Sequence, residues 1–245
     1  MTYSGLYYFP VAWPILLLLV GFFFFAVAMV GVKVLRFASA SMGIGPGPMV
    51  LLLLLSLLGS SVNIPVAYLP ERVISTATEV TYFGIRYALP VVREWPATMI
   101  AINVGGALIP IALSLYLAAK NRIYVLSAVG VAIVALVCYS LAEPVPGLGI
   151  AIPIFVPPLV TAVVAIVLSR RFAGPLAYIS GCLGTLIGAD LMNLNRVRGL
   201  GTPVVSIGGA GTFDGIFVIG FLAVFYASLV TYRQGRHGAS AARWA

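Results

Sequence analysis

The chain is 245 residues long, 62% hydrophobic and only 8% charged, with a formal net charge of +8 and a mean hydropathy of +1.12. A soluble domain carries about 25% charged residues, so no water-facing shell could cover a globule of this size, and lipid must be the solvent for most of its surface. Backbone groups in lipid need partners within a segment or a closed barrel. The apolar runs here are long and continuous rather than alternating, which favours helices.

In chain order, spans of about 20 apolar residues are expected at 14–32, 48–61, 97–118, 123–141, 150–169, 175–194 and 215–231. The expected fold is an all-α, polytopic transmembrane bundle of about seven spans in a single domain, 1–245. Residues 1–13 hold no Lys or Arg, whereas a secretory signal begins with positive charge, so the first run reads as a retained span. The second run is short and ends in Asn63, Ile64 and Pro65, so it is bent or starts earlier, near Met42. Gly43, Gly45 and Gly47, with Pro46 and Pro48, form an inner loop. That loop lacks the Lys and the following hydroxyl of a phosphate cradle.

The longest connection, 66–96, carries Pro70, Pro90, Pro96, mixed charges and the aromatics Tyr68, Tyr82, Tyr87 and Trp95. It is expected on the outer side, part of it as an amphipathic helix with its aromatics at headgroup depth; a plug or lid over the bundle is the alternative. Cys138 and Cys182 fall inside apolar runs and read as packing residues.

The cations set the orientation. With the N-terminus outside, the inner segments hold Lys33, Arg36, Lys120, Arg122, Arg170, Arg171, Arg233, Arg236 and Arg243, nine of the 14 Lys and Arg. Arg72, Arg86, Arg93, Arg196 and Arg198 fall outside with all four glutamates, Glu71, Glu79, Glu94 and Glu143. Positive charge concentrates on cytoplasmic loops, so the C-terminus is expected inside, with a basic cytoplasmic tail at 232–245, in the cell membrane. Basic residues scattered in pairs at helix ends argue against nucleic acid. They offer contacts to membrane lipids of anionic type, and oligomerisation stays open.

Ionisable groups inside spans are costly and usually functional. Two acids fall in or beside the expected spans, Asp190 near the outer end of the sixth and Asp214 at the outer start of the seventh. A hairpin would bring them to one depth. Paired carboxylates share a proton, and one then acts as base on water while the other acts as acid toward a carbonyl. The flanking Gly188, Gly209, Gly211 and Gly215 would let backbone and a substrate strand approach closely. The plainer reading is that each acid caps a helix or pairs with Arg196 or Arg198. The amides Asn63, Asn103 and Asn193 also fall near the outer half. They would either bond between helices or line a polar cavity with the acids. His237 is the sole histidine, which excludes a His-based metal site or a Ser-His triad. No cofactor is expected.

The stretch Leu186-Ile187-Gly188-Ala189-Asp190-Leu191, with Gly209 to Gly220, resembles the two catalytic motifs of presenilin and signal-peptide-peptidase type intramembrane aspartyl proteases. That resemblance implies hydrolysis of a membrane-embedded peptide by Asp190 and Asp214. Here Ala189 stands where an aromatic commonly precedes the acid, and Thr212 and Phe213 separate Gly211 from Asp214. Four segments together are similar to a family of archaeal and bacterial multi-pass membrane proteins of unknown function. These are Ser61-Val62-Asn63-Ile64-Pro65, Asn103-Val104-Gly105-Gly106-Ala107-Leu108-Ile109-Pro110, Gly188-Ala189-Asp190-Leu191 and Gly208 to Phe217. The same acids also suit an ion- or proton-coupled transporter, because Gly- and Pro-broken helices with acids and amides form such sites. A structural subunit of a membrane complex is the third reading.

Overall fold

The computed structural model describes residues 13–70, 79–82, 85–88, 97–145, 149–153, 155–197, 202, 204–209 and 215–241. Seven helices dominate: α1 (Trp13–Ser41), α2 (Pro46–Gly59), α3 (Ile109–Asn121), α4 (Tyr124–Leu141), α5 (Val156–Leu168), α6 (Ala173–Thr185) and α7 (Gly215–Ala241). Four helical stretches are long and apolar enough to cross a membrane: Val20–Ser41, Val104–Asn121, Tyr124–Leu141 and Ala173–Arg196. Shorter apolar helices run over Pro46–Gly59, Val156–Leu168 and Val218–Thr231.

Helix α6 lies at the centre, buried along nearly its whole length and packed against α3, α4, α5 and α7. Its sequence, AGPLAYISGCLGT, explains the position. Small residues let neighbouring backbones come close, which is how helices associate where lipid offers no hydrophobic drive. A methyl group on Gly188, just past α6, would drive into the Ala135 carbonyl of α4, and one on Gly220 of α7 would meet Cys182. Both cysteines are buried and neither forms a disulfide.

Strands appear where the hydropathy pattern alone reads as helix. A three-stranded sheet has the order β1 (Asn63–Pro70), β4 (Ala97–Asn103), β7 (Val204–Ile207), with β2 (Glu79–Tyr82) and β3 (Ile85–Ala88) forming a separate hairpin. A short pair, β5 (Glu143–Val145) and β6 (Gly149–Ala151), follows α4. β1 is antiparallel to β4 and places Asn63 opposite Asn103. β4 is parallel to β7 and places Ala101 opposite Ser206.

This corrects two expectations. The 97–118 run is extended over Ala97–Asn103 and becomes helical only through a π turn at Val104–Leu108. Its first residues, Ala-Thr-Met-Ile-Ala-Ile-Asn, hold three β-branched residues in seven, and Gly105 and Gly106 delay the helix. In the 66–96 connection the described residues are strands, not a surface helix. Val80, Thr81, Tyr82, Tyr87 and Ile85 favour the pleated form.

Candidate functional site

The sheet positions the site through its alternation. Side chains on a strand point to opposite faces in turn. Ile100, Ile102 and Ile207 turn toward the helices and join the apolar core. Asn63 and its partner Asn103 share the other face with Ser206, which pairs with Ala101, two residues before Asn103.

These three residues form one hydrogen-bond network. The Asn103 Nδ2 donates to the Ser60 carbonyl at 2.7 Å and to Asn63 Oδ1 at 3.1 Å. Asn103 Oδ1 accepts from the Gly106 N–H at 2.8 Å and so caps the π turn. Ser206 Oγ donates to the same Asn63 Oδ1 at 2.6 Å. Asn103 is thus fully engaged, whereas the Asn63 Nδ2 takes no part in the network. Asn103 is buried and Asn63 exposed, so Asn103 holds the frame and Asn63 faces the opening.

Asp190 stands across from this face. It ends a second π turn, Leu186–Asp190, which passes into a 3-10 turn, Leu191–Arg196. The change of helical pitch frees carbonyls of the preceding turn. The buried Asn193 answers them, donating from Nδ2 to the Gly188 carbonyl at 2.8 Å and to the Ala189 carbonyl at 3.1 Å. The half-buried Asp190 then receives the Gly208 N–H on Oδ2 at 2.7 Å. Gly208 follows β7 with φ of +85°, and a side chain there would meet the Gly106 and Ala107 backbone at 2.7 Å. Only glycine fits that position.

Between the polar face and Asp190 lies a cavity of about 260 Å³. Asn63, Asn103, Asp190, Ser206 and Gly209 supply polar groups, and Ile150, Leu194, Val197 and Val204 supply apolar wall.

Of the residues expected at the site, Asn63, Asn103, Asp190 and Gly209 meet at the cavity. Asn193 and Gly188 lie behind it, supporting the Asp190 turn. Gly215 opens α7. Gly211 and Asp214 lie outside the described residues. Arg196, a candidate partner for the acids, donates to Tyr139 Oη at 3.0 Å and stacks on that ring. Among the described residues no group of three His, Cys, Asp or Glu side chains comes together to hold a metal.

Ser206 is the site residue that composition does not reveal. One signal for it exists: Asn103-Val104-Gly105-Gly106-Ala107 and Ser206-Ile207-Gly208-Gly209-Ala210 share the order polar, aliphatic, Gly, Gly, Ala. Each begins as its strand ends, and the two strands run parallel.

Residues 57–226 match a family described as "Protein of unknown function (DUF1614)". That stretch begins in α2, contains the sheet and Asp190, and ends within α7. No curated protein and no solved structure matches the chain.

Proposed function

From the premise that this chain belongs to the DUF1614 family of proteins of unknown function, which brings no activity with it, we propose that it is a multi-pass membrane carrier whose ion or solute site is the Asp190 cavity. The observation that carries this reading is the convergence of broken backbone on one carboxylate. Two π turns and three strand ends surround Asp190, Asn63 and Ser206 around about 260 Å³ of space. Discontinuous helices of this kind build the binding sites of secondary transporters, where unwound backbone and side-chain oxygens hold a cation or proton. Ionisable residues within apolar helical stretches are rare and commonly mark ion or substrate pathways.

The chemistry follows from the inventory of groups. Asp190 supplies negative charge, Ser206 a lone pair and Asn63 an amide donor. A small cation, or a small solute with a cationic head, satisfies the acid and leaves the apolar wall to exclude bulk water. The test uses purified protein in detergent at constant ionic strength, with sodium, potassium or lithium exchanged against choline. A ligand that binds only the folded state raises its stability by RT ln(1 + [L]/Kd). The expected result is cation-dependent thermal stabilisation in the wild type and its loss in Asp190→Asn. Equal stability in every salt, with no sodium- or proton-driven flux in liposomes, overturns the reading.

A second reading, aspartyl hydrolysis of a membrane-embedded peptide by Asp190 and Asp214, rests on the antiparallel packing of α6 on α7. Cys182 Sγ lies 3.6 Å from the Ile216 carbonyl, and α7 starts one residue after Asp214. The readings separate at Asp214→Asn. This change abolishes peptide cleavage under hydrolysis and leaves cation-dependent stabilisation intact under transport.

A further inference from the structure

A second recess runs along α3 from Ile109 to Tyr116, facing the N-terminal half of α2. Helices α2 and α3 run antiparallel, and the C-terminal end of α2 packs against the π turn that leads into α3. Ser56 Oγ donates to the Gly105 carbonyl at 2.9 Å, and a methyl on Gly105 would strike the α2 backbone. Toward the N-terminal half of α2 a groove of about 450 Å³ lies between the two helices, lined by Pro48, Leu52, Ile109, Ala112, Leu113 and Tyr116. Every one of these side chains is apolar except for the Tyr116 hydroxyl.

The mouth of the groove is cationic. The exposed Lys120 Nζ donates to the Gly43 carbonyl at 2.6 Å and lies 5.6 Å from the centre of the Tyr116 ring. The N-terminus of α2 opens on the same turn, with no side-chain cap and no acid in its first turn. Its partial positive charge adds to that of Lys120. The acids among the described residues, Glu79, Glu143 and Asp190, belong to other elements.

We propose that this groove binds one anionic glycerophospholipid, an acyl chain between α2 and α3 and the phosphate on Lys120 at the mouth of the cleft. An apolar slot that ends in a lysine with no ion-pair partner among the described residues matches a molecule with those two parts in that order. A basic pocket between helix ends is a recognised form of headgroup site. The inference is independent of the Asp190 cavity.

The test is native mass spectrometry of the full chain released from micelles that contain equal amounts of phosphatidylglycerol and phosphatidylcholine. The wild type is expected to retain one phosphatidylglycerol in about tenfold preference, worth about 1.4 kcal/mol. Lys120→Gln keeps a donor for the Gly43 carbonyl and removes the charge, so the preference should fall to near parity. Lys120→Arg should restore it. Ala112→Phe fills the slot and should lose both lipids, with circular dichroism confirming that it folds. Excess glycerol phosphate, which has the headgroup and no chain, should not displace the lipid.

A Lys120→Gln protein that keeps the full preference overturns the proposal, as does displacement by glycerol phosphate. A lipid-free wild-type dimer that Ala112→Phe dissociates would assign the groove to a second copy and overturn it too.

Discussion

Asp190 accepts the backbone N–H of Gly208 at 2.7 Å across 18 residues of chain. This bond joins the end of the central helical stretch to the end of β7, so the acid that lines the cavity also ties down the residue that follows that strand. Substitution at 190 therefore splits into two effects. Asp190→Asn retains an oxygen for the Gly208 N–H and removes charge. Asp190→Ala leaves a buried N–H without an acceptor, at a cost of about 1–3 kcal/mol. Thermal unfolding in detergent should show the alanine protein clearly destabilised and the asparagine protein close to wild type. Equal losses in both would mean that the charge, not the bond, holds Gly208 in place.

The two amides should differ in the same assay. Asn103 is 3% exposed and makes three bonds, including the one that caps the π turn. Asn103→Ala strands the Gly106 N–H and the Ser60 carbonyl, and a loss of about 3 kcal/mol is expected from unsatisfied buried groups. Asn63→Ala, at an exposed position, should cost about 1 kcal/mol and act mainly on ligand binding. A reversed order would contradict the division into frame and opening.

Ser206→Ala removes the donor to Asn63 Oδ1, a 2.6 Å bond, and should cost about 1 kcal/mol. Ser206→Thr keeps the hydroxyl and adds a methyl group toward the cavity. The prediction is near-native stability for the threonine protein with weakened cation-dependent stabilisation. Unchanged cation response in both variants would remove Ser206 from the site.

Glycines at close helix contacts should be intolerant. Gly188→Ala and Gly105→Ala each push a methyl into a neighbouring carbonyl, Ala135 in the first case and Ser56 in the second. Overpacking of this kind costs about 1–3 kcal/mol or more. Gly47→Ala, which faces open space, is the control and should be neutral. Yield and melting temperature of the three proteins check this, and a neutral Gly188→Ala would show that α4 and α6 can move apart.

Orientation is open to a labelling experiment. Cys138 and Cys182 are buried and should resist a membrane-impermeant maleimide. Glu143→Cys should react from outside intact cells, and Arg122→Cys only after permeabilisation. The opposite pattern would invert the expected topology.

Much was legible from residue chemistry alone. Few charges in a long apolar chain require lipid as solvent, and lipid requires helices of sufficient length. Asn63, Asn103 and Asp190 were also visible as a set, because amides and acids in apolar runs must find partners. Helix 123–141 was recovered as Tyr124–Leu141 because its apolar run is bounded by Arg122 and Glu143. The strands were not legible. A fully buried strand and the start of a buried helix are both short apolar runs, and periodicity cannot separate them. Which of them forms at 97–103 depends on whether a pairing edge is present, and that edge comes from residues 63–70 and 204–207. The sequence by itself therefore determined the solvent, the helical character and the stock of polar groups. Tertiary structure alone decided that Ser206 joins Asn63, and that Asp190 faces both, because hydrogen bonds between distant strands are settled only when the chain closes on itself.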